Sequence, residues 1–315
     1  MEKLGDIVPT GIRRIIGIAA FLASFLIASL IALVPTAVLA SDWSDTYIGY
    51  RYGHDFREPF NPNDIAKEIG SLTHASGYKY GSNFFNIDLL KSNNQDLASG
   101  GGGGAQEVYV VYRTTLSGSA VFGTPLKFGG IIRDIGLTAG FDYNAKDDQF
   151  SARVYKFAIG PKFSFDVPGF FDVAIVARYE HNHNWFATGP GFGTSGCEPV
   201  NTVDCNPNVK FRNTAALESA WLIPFPLGPV PMKFQGFLNW IGAKGTNGTG
   251  GGTAPEFLTD FSLMADVGSF AGHKDTVFAG IGYQYWHNKF GNQSADDPTG
   301  GSTAKVPQIE FEWHF

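Results

Sequence analysis

The sequence predicts an all-β protein, a transmembrane antiparallel β-barrel of about 12 strands. Three observations carry that expectation: segments of about ten residues in which apolar and polar side chains alternate, connections that are long and short by turns, and a final alternating segment that closes on an aromatic residue. Composition agrees, with 40 glycines among 315 residues, 15% aromatics and 17% charged residues, against about 7% glycine and about 25% charge in an average globular chain. Such a mixture suits strands that turn one face to lipid and the other to water.

The first forty residues read differently. Arg13 and Arg14 precede an apolar run from Ile15 to Val34, followed by Pro35 and the small-residue stretch Ala37-Val38-Leu39-Ala40. This is the layout of a signal peptide, with Pro35 breaking the helix ahead of the scissile bond. The expected division is therefore a cleaved leader, 1–40, and one barrel domain, 41–315. A permanent anchor is the alternative, because the apolar run exceeds the usual length of a leader's hydrophobic region. No later stretch offers the roughly 18 consecutive apolar residues of a transmembrane helix, so the mature chain can cross a membrane only with strands. Export combined with strands points to the cell outer membrane, with its lipid and the barrel-assembly machinery as partners. The net charge of -6 becomes -7 once the leader's three bases and two acids are removed. That acidity argues against nucleic-acid binding.

Along the chain, Tyr47–Tyr52 sets Ile48, Tyr50 and Tyr52 on one face against Tyr47, Gly49 and Arg51 on the other. Ser71–Gly77 follows. In Asn83–Lys91, Phe85, Ile87 and Leu89 oppose Asn86 and Asp88, and in Gln106–Leu116, Val108, Val110 and Tyr112 oppose Glu107, Tyr109 and Arg113. Ile131–Asp142 and Phe150–Asp166 come next. In Phe171–His181 the apolar parity of Val173 and Ile175 opposes Asp172, Arg178 and Glu180. Val209–Ile223, Met232–Gly242, Glu256–Asp266, Thr276–His287 and Val306–Phe315 complete the set. The connections 54–69, 92–105, 143–149, 182–208, 243–255 and 288–305 are mostly long and rich in Gly, Asn and Asp. Those between them are generally shorter, such as Asp166–Gly169 and the proline-dense Pro224–Pro231, although 117–130 is longer than the pattern prefers. A soluble sandwich can show the alternation but does not require that asymmetry. The last strand places Ile309, Phe311, Trp313 and Phe315 opposite Gln308, Glu310, Glu312 and His314. In a soluble sheet this would expose an apolar edge, which closure of a barrel removes. This ending resembles the C-terminal β-signal of outer-membrane proteins, and the resemblance implies that Phe311, Trp313 and Phe315 serve as the assembly signal.

Little in the chain points to catalysis. The glycine runs Gly100–Gly104 and Gly250–Gly252 lack the following lysine and Ser/Thr of a phosphate loop and precede no helix, so they read as outer loops. His181 and His183 could share a side, but a zinc site needs three or four ligands, and with Trp185 they fit an aromatic interface belt. No catalytic residue, metal site or cofactor is assigned. Cys197 and Cys205 share one loop, and an even pair in an exported chain reads as a disulfide; metal ligation is the alternative but lacks partner ligands. The ionisable residues on the presumed water face are Arg51, Asp88, Glu107, Arg113, Arg178, Glu180, Glu218, Asp260, Glu310 and Glu312, which water is expected to solvate. Their mixed signs argue against strong ion selectivity. Tyr47, Tyr109, Phe237 and Trp286 lie among them and could stack on a neutral planar solute.

The segments Thr73–Asp88 (THASGYKYGSNFFNID), Gln106–Arg113 (QEVYVVYR) and Gly282–Gly291 (GYQYWHNKFG), with the ending at Phe315, resemble the nucleoside-specific channel-forming (Tsx-like) outer-membrane family. The resemblance implies a monomeric twelve-stranded barrel that passes nucleosides down their gradient through a narrow lumen lined by aromatic and ionisable residues. The expected function is passive uptake of small hydrophilic solutes, nucleosides first. The alternatives are a general small-solute porin, a phage or partner receptor acting through its loops, and a barrel hydrolase. One expectation is tested on the sequence alone: titration of the denatured, unreduced mature protein should find no free thiol at Cys197 or Cys205, and two thiols would refute the bridge.

Overall fold

Strict alternation over a dozen residues leaves one arrangement in hydrocarbon, a sheet that closes on itself so that no backbone donor or acceptor lacks a partner. The computed structural model describes residues 42–98, 102–148, 152–184, 208–247 and 251–315. The leader 1–40, Trp185 and both cysteines lie outside the described residues. The strands are β1 (Trp43–Phe56), β2 (Ile65–Tyr78), β3 (Gly81–Ser92), β4 (Gln106–Ser117), β5 (Ile132–Lys146), β6 (Arg153–Phe165) and β7 (Phe170–His183), followed by β8 (Asn208–Lys210), β9 (Thr214–Leu227), β10 (Val230–Ile241), β11 (Glu256–Asp266), β12 (Val277–His287) and β13 (Thr303–His314). Apart from β8 and β9, each pairs antiparallel with its neighbour in sequence, β1 pairs with β13, and the circuit is complete. The short β8 and the long β9 both lie along β7 and together form one staff of the wall. The result is a closed barrel of 12 strands.

On the side of Trp43 and Phe315 three of the five connections are short turns, while 118–131 and 267–276 are longer and hold short helical segments; the other connections lie on the opposite side. Residues 79–80 and 228–229 are two-residue turns, and 166–169 closes on Gly169, whose φ of 73° is left-handed and favours glycine. The connection 118–131 is longer because it holds a short helix, α1 (Gly118–Phe122), capped by the Ser117 hydroxyl accepting from the Ala120 N–H. The strand-to-strand connections there are 57–64, 93–105, 147–152, 184–207 between β7 and β8, 242–255 and 288–302, of which only the described residues are placed.

Two sequence expectations about boundaries need correction. The loop read as 54–69 shrinks to 57–64, because Phe56 and Ile65 still pair across β1 and β2. The segment Pro224–Pro231 is not a turn: Pro224 and Pro226 belong to β9 and Pro231 to β10. Proline is tolerated here because pairing with β7 reaches only to Leu222 and pairing with β11 only to Met232, so these residues have a neighbour on one side only. Each proline can then turn its missing donor to the open side.

The wall is apolar outside. Ile48, Phe157, Ile159, Ile175, Ile281, Ile309 and Phe311 are exposed, Ile281 at 65%. Aromatics gather at both rims, with Tyr143 against Tyr155 near the loops and Trp313 against Phe315 near the turns. A continuous apolar band of this kind is untenable in water and is the signature of a lipid-facing surface between two aromatic girdles. Phe311, Trp313 and Phe315 all lie on it, exposed, and the Phe315 N–H donates to Thr46 O at 3.0 Å across the β1–β13 seam. Ile281 sits midway along β12, so Ile281→Lys should destabilise the barrel by about 2–4 kcal/mol. Equilibrium unfolding in lipid vesicles checks this, and an unchanged midpoint would place that face outside the hydrocarbon.

Candidate functional site

Because side chains alternate along each strand, an apolar exterior forces the polar residues inward. The structure places Tyr47, Arg51, Asp88, Glu107, Tyr109, Arg113, Arg178, Glu180, Glu218, Asp260, Trp286, Glu310 and Glu312 on the inner face, in the parity the sequence implies. Water, however, does not solvate them as expected. Six of them pair with one another, most of the rest pair with other inward groups, and Arg178, Glu180, Asp260 and Glu312 are all buried. The reason is geometric: long side chains from opposite arcs of a twelve-stranded wall reach each other, and an ion pair replaces the lost hydration.

At mid-height, Arg113 and Arg178 share two carboxylates. Arg113 donates to Asp142 at 2.8 Å and to Glu218 at 3.0 and 3.1 Å, and Arg178 donates to the same two residues at 2.7 Å each. The four groups come from β4, β5, β7 and β9, so the square crosses the lumen. Tyr109 stands beside it, its hydroxyl 3.3 Å from Asp142 and its ring beneath the Lys156 ammonium, 5.9 Å away. On the other arc, Arg51 joins Asp88 at 2.6 Å and Asp260 at 3.5 Å, and Gln284 and Gln308 complete Asp260. Glu310 lies against Gly282, where an added Cβ would collide with its Oε1.

The two ends differ. Toward the loops, Phe56, Ile65, Ile69, Ala304 and Val306 form an apolar cluster inside the barrel, with Trp286 packed on it and donating to Glu256 at 2.8 Å. Lys244 meets Glu180 at 2.7 Å, and Glu107 accepts from Asn144 at 2.6 Å. Glu58, in the loop after β1, contacts three lysines; burial opposes its ionisation, but Lys146, Lys289 and Lys67 hold its carboxyl well below the usual range. Toward the turns, Lys233 donates to Glu312 at 2.5 Å and lies over the Phe278 ring, and His314 sits between Glu312 and Asp45. A cavity of about 540 Å³ opens there, lined by Leu222, Pro224, Pro231, Lys233, Phe278 and His314 among others.

Glu107, Tyr109, Arg113 and Asp88, which share the water face in sequence, fall into three separate groups. Asp88 belongs to the Arg51 cluster, Tyr109 and Arg113 to the square, and Glu107 to the loop-side group. Sequence reading named both partners in Arg51–Asp88, Arg51–Asp260, Arg113–Glu218 and Arg178–Glu218, and missed Asp142, Lys156, Lys233, Lys244 and Glu256 on or beside strands, and Glu58, Lys67, Lys146 and Lys289 at the loop end. Parity along the strands would have found Asp142, Lys156 and Lys233. Nothing in the spacing marks Glu58 or Lys289, which reach the lumen from loops. Among the described residues no group of three or more His, Cys, Asp or Glu could hold a metal ion.

Apolar outside and ionisable inside, the chain is a membrane-spanning β-barrel with a side-chain-crossed lumen. No family model and no curated protein sequence matches it. Among solved structures it is similar to the translocator domain of the autotransporter NalP from Neisseria meningitidis (TM-score 0.43, 11% identity, covering 94% of this chain and 97% of that one). It is also similar to the KdgM porin (0.40, 8%, 85% and 99%) and to the NanC porin (0.40, 12%, 84% and 98%). Likenesses this low carry no inference about what the chain does.

The square is tested by removing one corner. Arg178→Met leaves Asp142 and Glu218 with Arg113 alone, and stranding part of a buried ion pair costs about 3–5 kcal/mol. Denaturant midpoints in vesicles should fall accordingly. Arg178→Lys should recover only part of the loss, because a point ammonium cannot serve two carboxylates as a guanidinium fork does.

Proposed function

We propose that the protein is an outer-membrane channel for passive uptake of small hydrophilic solutes, with nucleosides as the preferred class. The observation that carries this reading is the lumen itself: a lipid-facing wall encloses ionisable side chains from one end to the other, with an open vestibule toward the turns. A barrel serving only as an anchor has no need of such an interior, which could be filled more cheaply with apolar side chains. The crossings at Arg51–Asp260 and Arg113–Glu218 divide the bore and favour small solutes over polymers. Paired charges of both signs present donors and acceptors together, which suits a neutral solute rich in hydroxyls more than a bare ion.

The nucleoside preference rests on the resemblance of Thr73–Asp88, Gln106–Arg113 and Gly282–Gly291 to nucleoside channels, and on inward aromatics beside hydrogen-bonding groups. Tyr109 is half-buried at mid-lumen next to two arginines and two carboxylates. Its ring would stack on a base, worth roughly 1–3 kcal/mol per base by analogy with single-strand binding platforms, while the charged groups exchange hydrogen bonds with ribose hydroxyls. A passing solute must also leave, so each contact should be weak.

Liposome swelling with the refolded barrel tests both levels. Nucleosides, sugars and amino acids should all enter if the protein is a channel, with nucleosides fastest at low concentration. Tyr109→Ala should slow adenosine at low concentration while leaving or raising the flux of a sugar of similar size. A proportional change in both would reduce the protein to a general small-solute porin, and no swelling with any solute would remove the channel reading. Ester hydrolysis by the refolded protein would instead reveal a barrel hydrolase.

A further inference from the structure

The loop after β1 carries a carboxylate that the barrel holds as a ligand would be held. Glu58 Oε1 accepts from Lys67 at 3.0 Å and from Lys146 at 3.2 Å, and the Lys289 ammonium lies 3.4 Å away. The lysines come from the start of β2, the end of β5 and the loop 288–302, so their convergence is a product of the tertiary fold. All three side chains are at most 8% exposed. Asp96, 2.8 Å from Lys146, and Glu107, 3.6 Å from Lys67, supply two of the balancing negative charges. Glu58 supplies the third. Without it, three buried ammoniums would face two carboxylates, and an uncompensated buried charge is strongly unfavourable.

Glu58 belongs to no strand, and its loop is seated by contacts that do not involve its carboxylate. The Phe60 N–H donates to Asp297 at 3.0 Å, Asn61 donates to Gln95 O at 2.9 Å, and Lys289 donates to Arg57 O at 2.6 Å. Gly301 presses so closely on the backbone carbonyl of Glu58 that an added Cβ would collide with it. Beside the lysines lies an apolar floor, since the Lys289 ammonium is 4.5 Å from the centre of the Trp286 ring and 5.1 Å from that of Phe290. Burial pushes the Lys289 ammonium down to about 8, against the pull of Glu58.

We propose that Lys67, Lys146 and Lys289 form a binding site at the loop-side mouth for a small carboxylate-bearing solute, and that Glu58 occupies it as a tethered stand-in that such a solute displaces. An incoming carboxylate reproduces the three charge-assisted contacts, and its carbon skeleton gains the Trp286 and Phe290 surface. Glu58, once displaced, turns its carboxylate away from the lysines while its loop stays seated. This goes beyond the nucleoside reading, since a neutral nucleoside has no group for the socket, and it does not depend on that reading.

The test is a binding measurement on the refolded full barrel in detergent micelles, so a failure of transport leaves it unaffected. Tryptophan fluorescence is followed on titration with D-glucuronate, with D-glucose as the neutral counterpart of similar size. Glu58→Gln should give a saturable response to glucuronate at a concentration at least tenfold below wild type, and none to glucose. On that background Trp286→Phe should abolish the response and Lys289→Gln should weaken it at least tenfold. Gly301→Ala, which unseats the loop without changing any charge, should show the same gain as Glu58→Gln and decides the matter if that variant does not fold. The proposal is overturned if wild type and the folded loosened variant respond alike, if glucose responds equally, or if a wild-type response survives Lys289→Gln unchanged.

Discussion

In hydrocarbon, no backbone amide or carbonyl can be left without a partner, and the rest of this structure follows from that constraint. It requires the sheet to close, which the seam from Tyr47 opposite His314 to Tyr52 opposite Ile309 accomplishes. Closure makes inside and outside unequal. The pleat then sends every second residue into the lumen, and strands that show Ile309, Phe311 and Trp313 to lipid must carry Gln308, Glu310 and Glu312 within. The parity that turns these apolar residues to lipid is thus the same one that turns the charged residues of this sequence into the lumen.

Charges confined in this way must find compensation, and the barrel provides it across its bore. Removing two ions from water costs several kcal/mol each, an amount recovered only with good geometry and further hydrogen bonds. The Arg113–Asp142–Arg178–Glu218 square meets that demand through guanidinium forks, and Asp260 does so through Arg51, Gln284 and Gln308. The same contacts subdivide the lumen. Interior chemistry and bore width are therefore one property here: each ion pair that stabilises the wall also narrows the path.

The two ends of the lumen are built on different principles. Toward the turns, β9 and β10 outrun their outer neighbours, prolines occupy the unpaired positions, and a vestibule opens beside Lys233 and Phe278. Toward the loops, an apolar cluster and a ring of lysines fill the mouth, and Asp297 ties two loops together by accepting from Phe60 and from Ser302. Among the described residues, the turn end thus holds a cavity and the loop end an apolar cluster beside buried ion pairs.

The fold was legible in the sequence because alternation is a local property. Whether Arg178 or Ile175 faces inward depends only on strand parity, and the long and short connections reveal the closed, one-sided architecture without knowledge of any contact. Strand ends were less legible, since Pro224 and Pro226 carry the residue type of a turn, and only the end of pairing with β7 at Leu222 makes them acceptable in a strand. Partners could not be read at all. Arg51 meets Asp260 across 209 positions and Arg113 meets Glu218 across 105, separations set by the register and width of the closed barrel. Glu58 shows the limit most clearly: nothing local distinguishes it from any loop carboxylate, and three lysines surround it only because β2, β5 and a distant loop converge at one rim. Sequence alone determined which side chains turn inward, because the pleat repeats every two residues; tertiary structure decided which of them meet, because that depends on how the sheet closes.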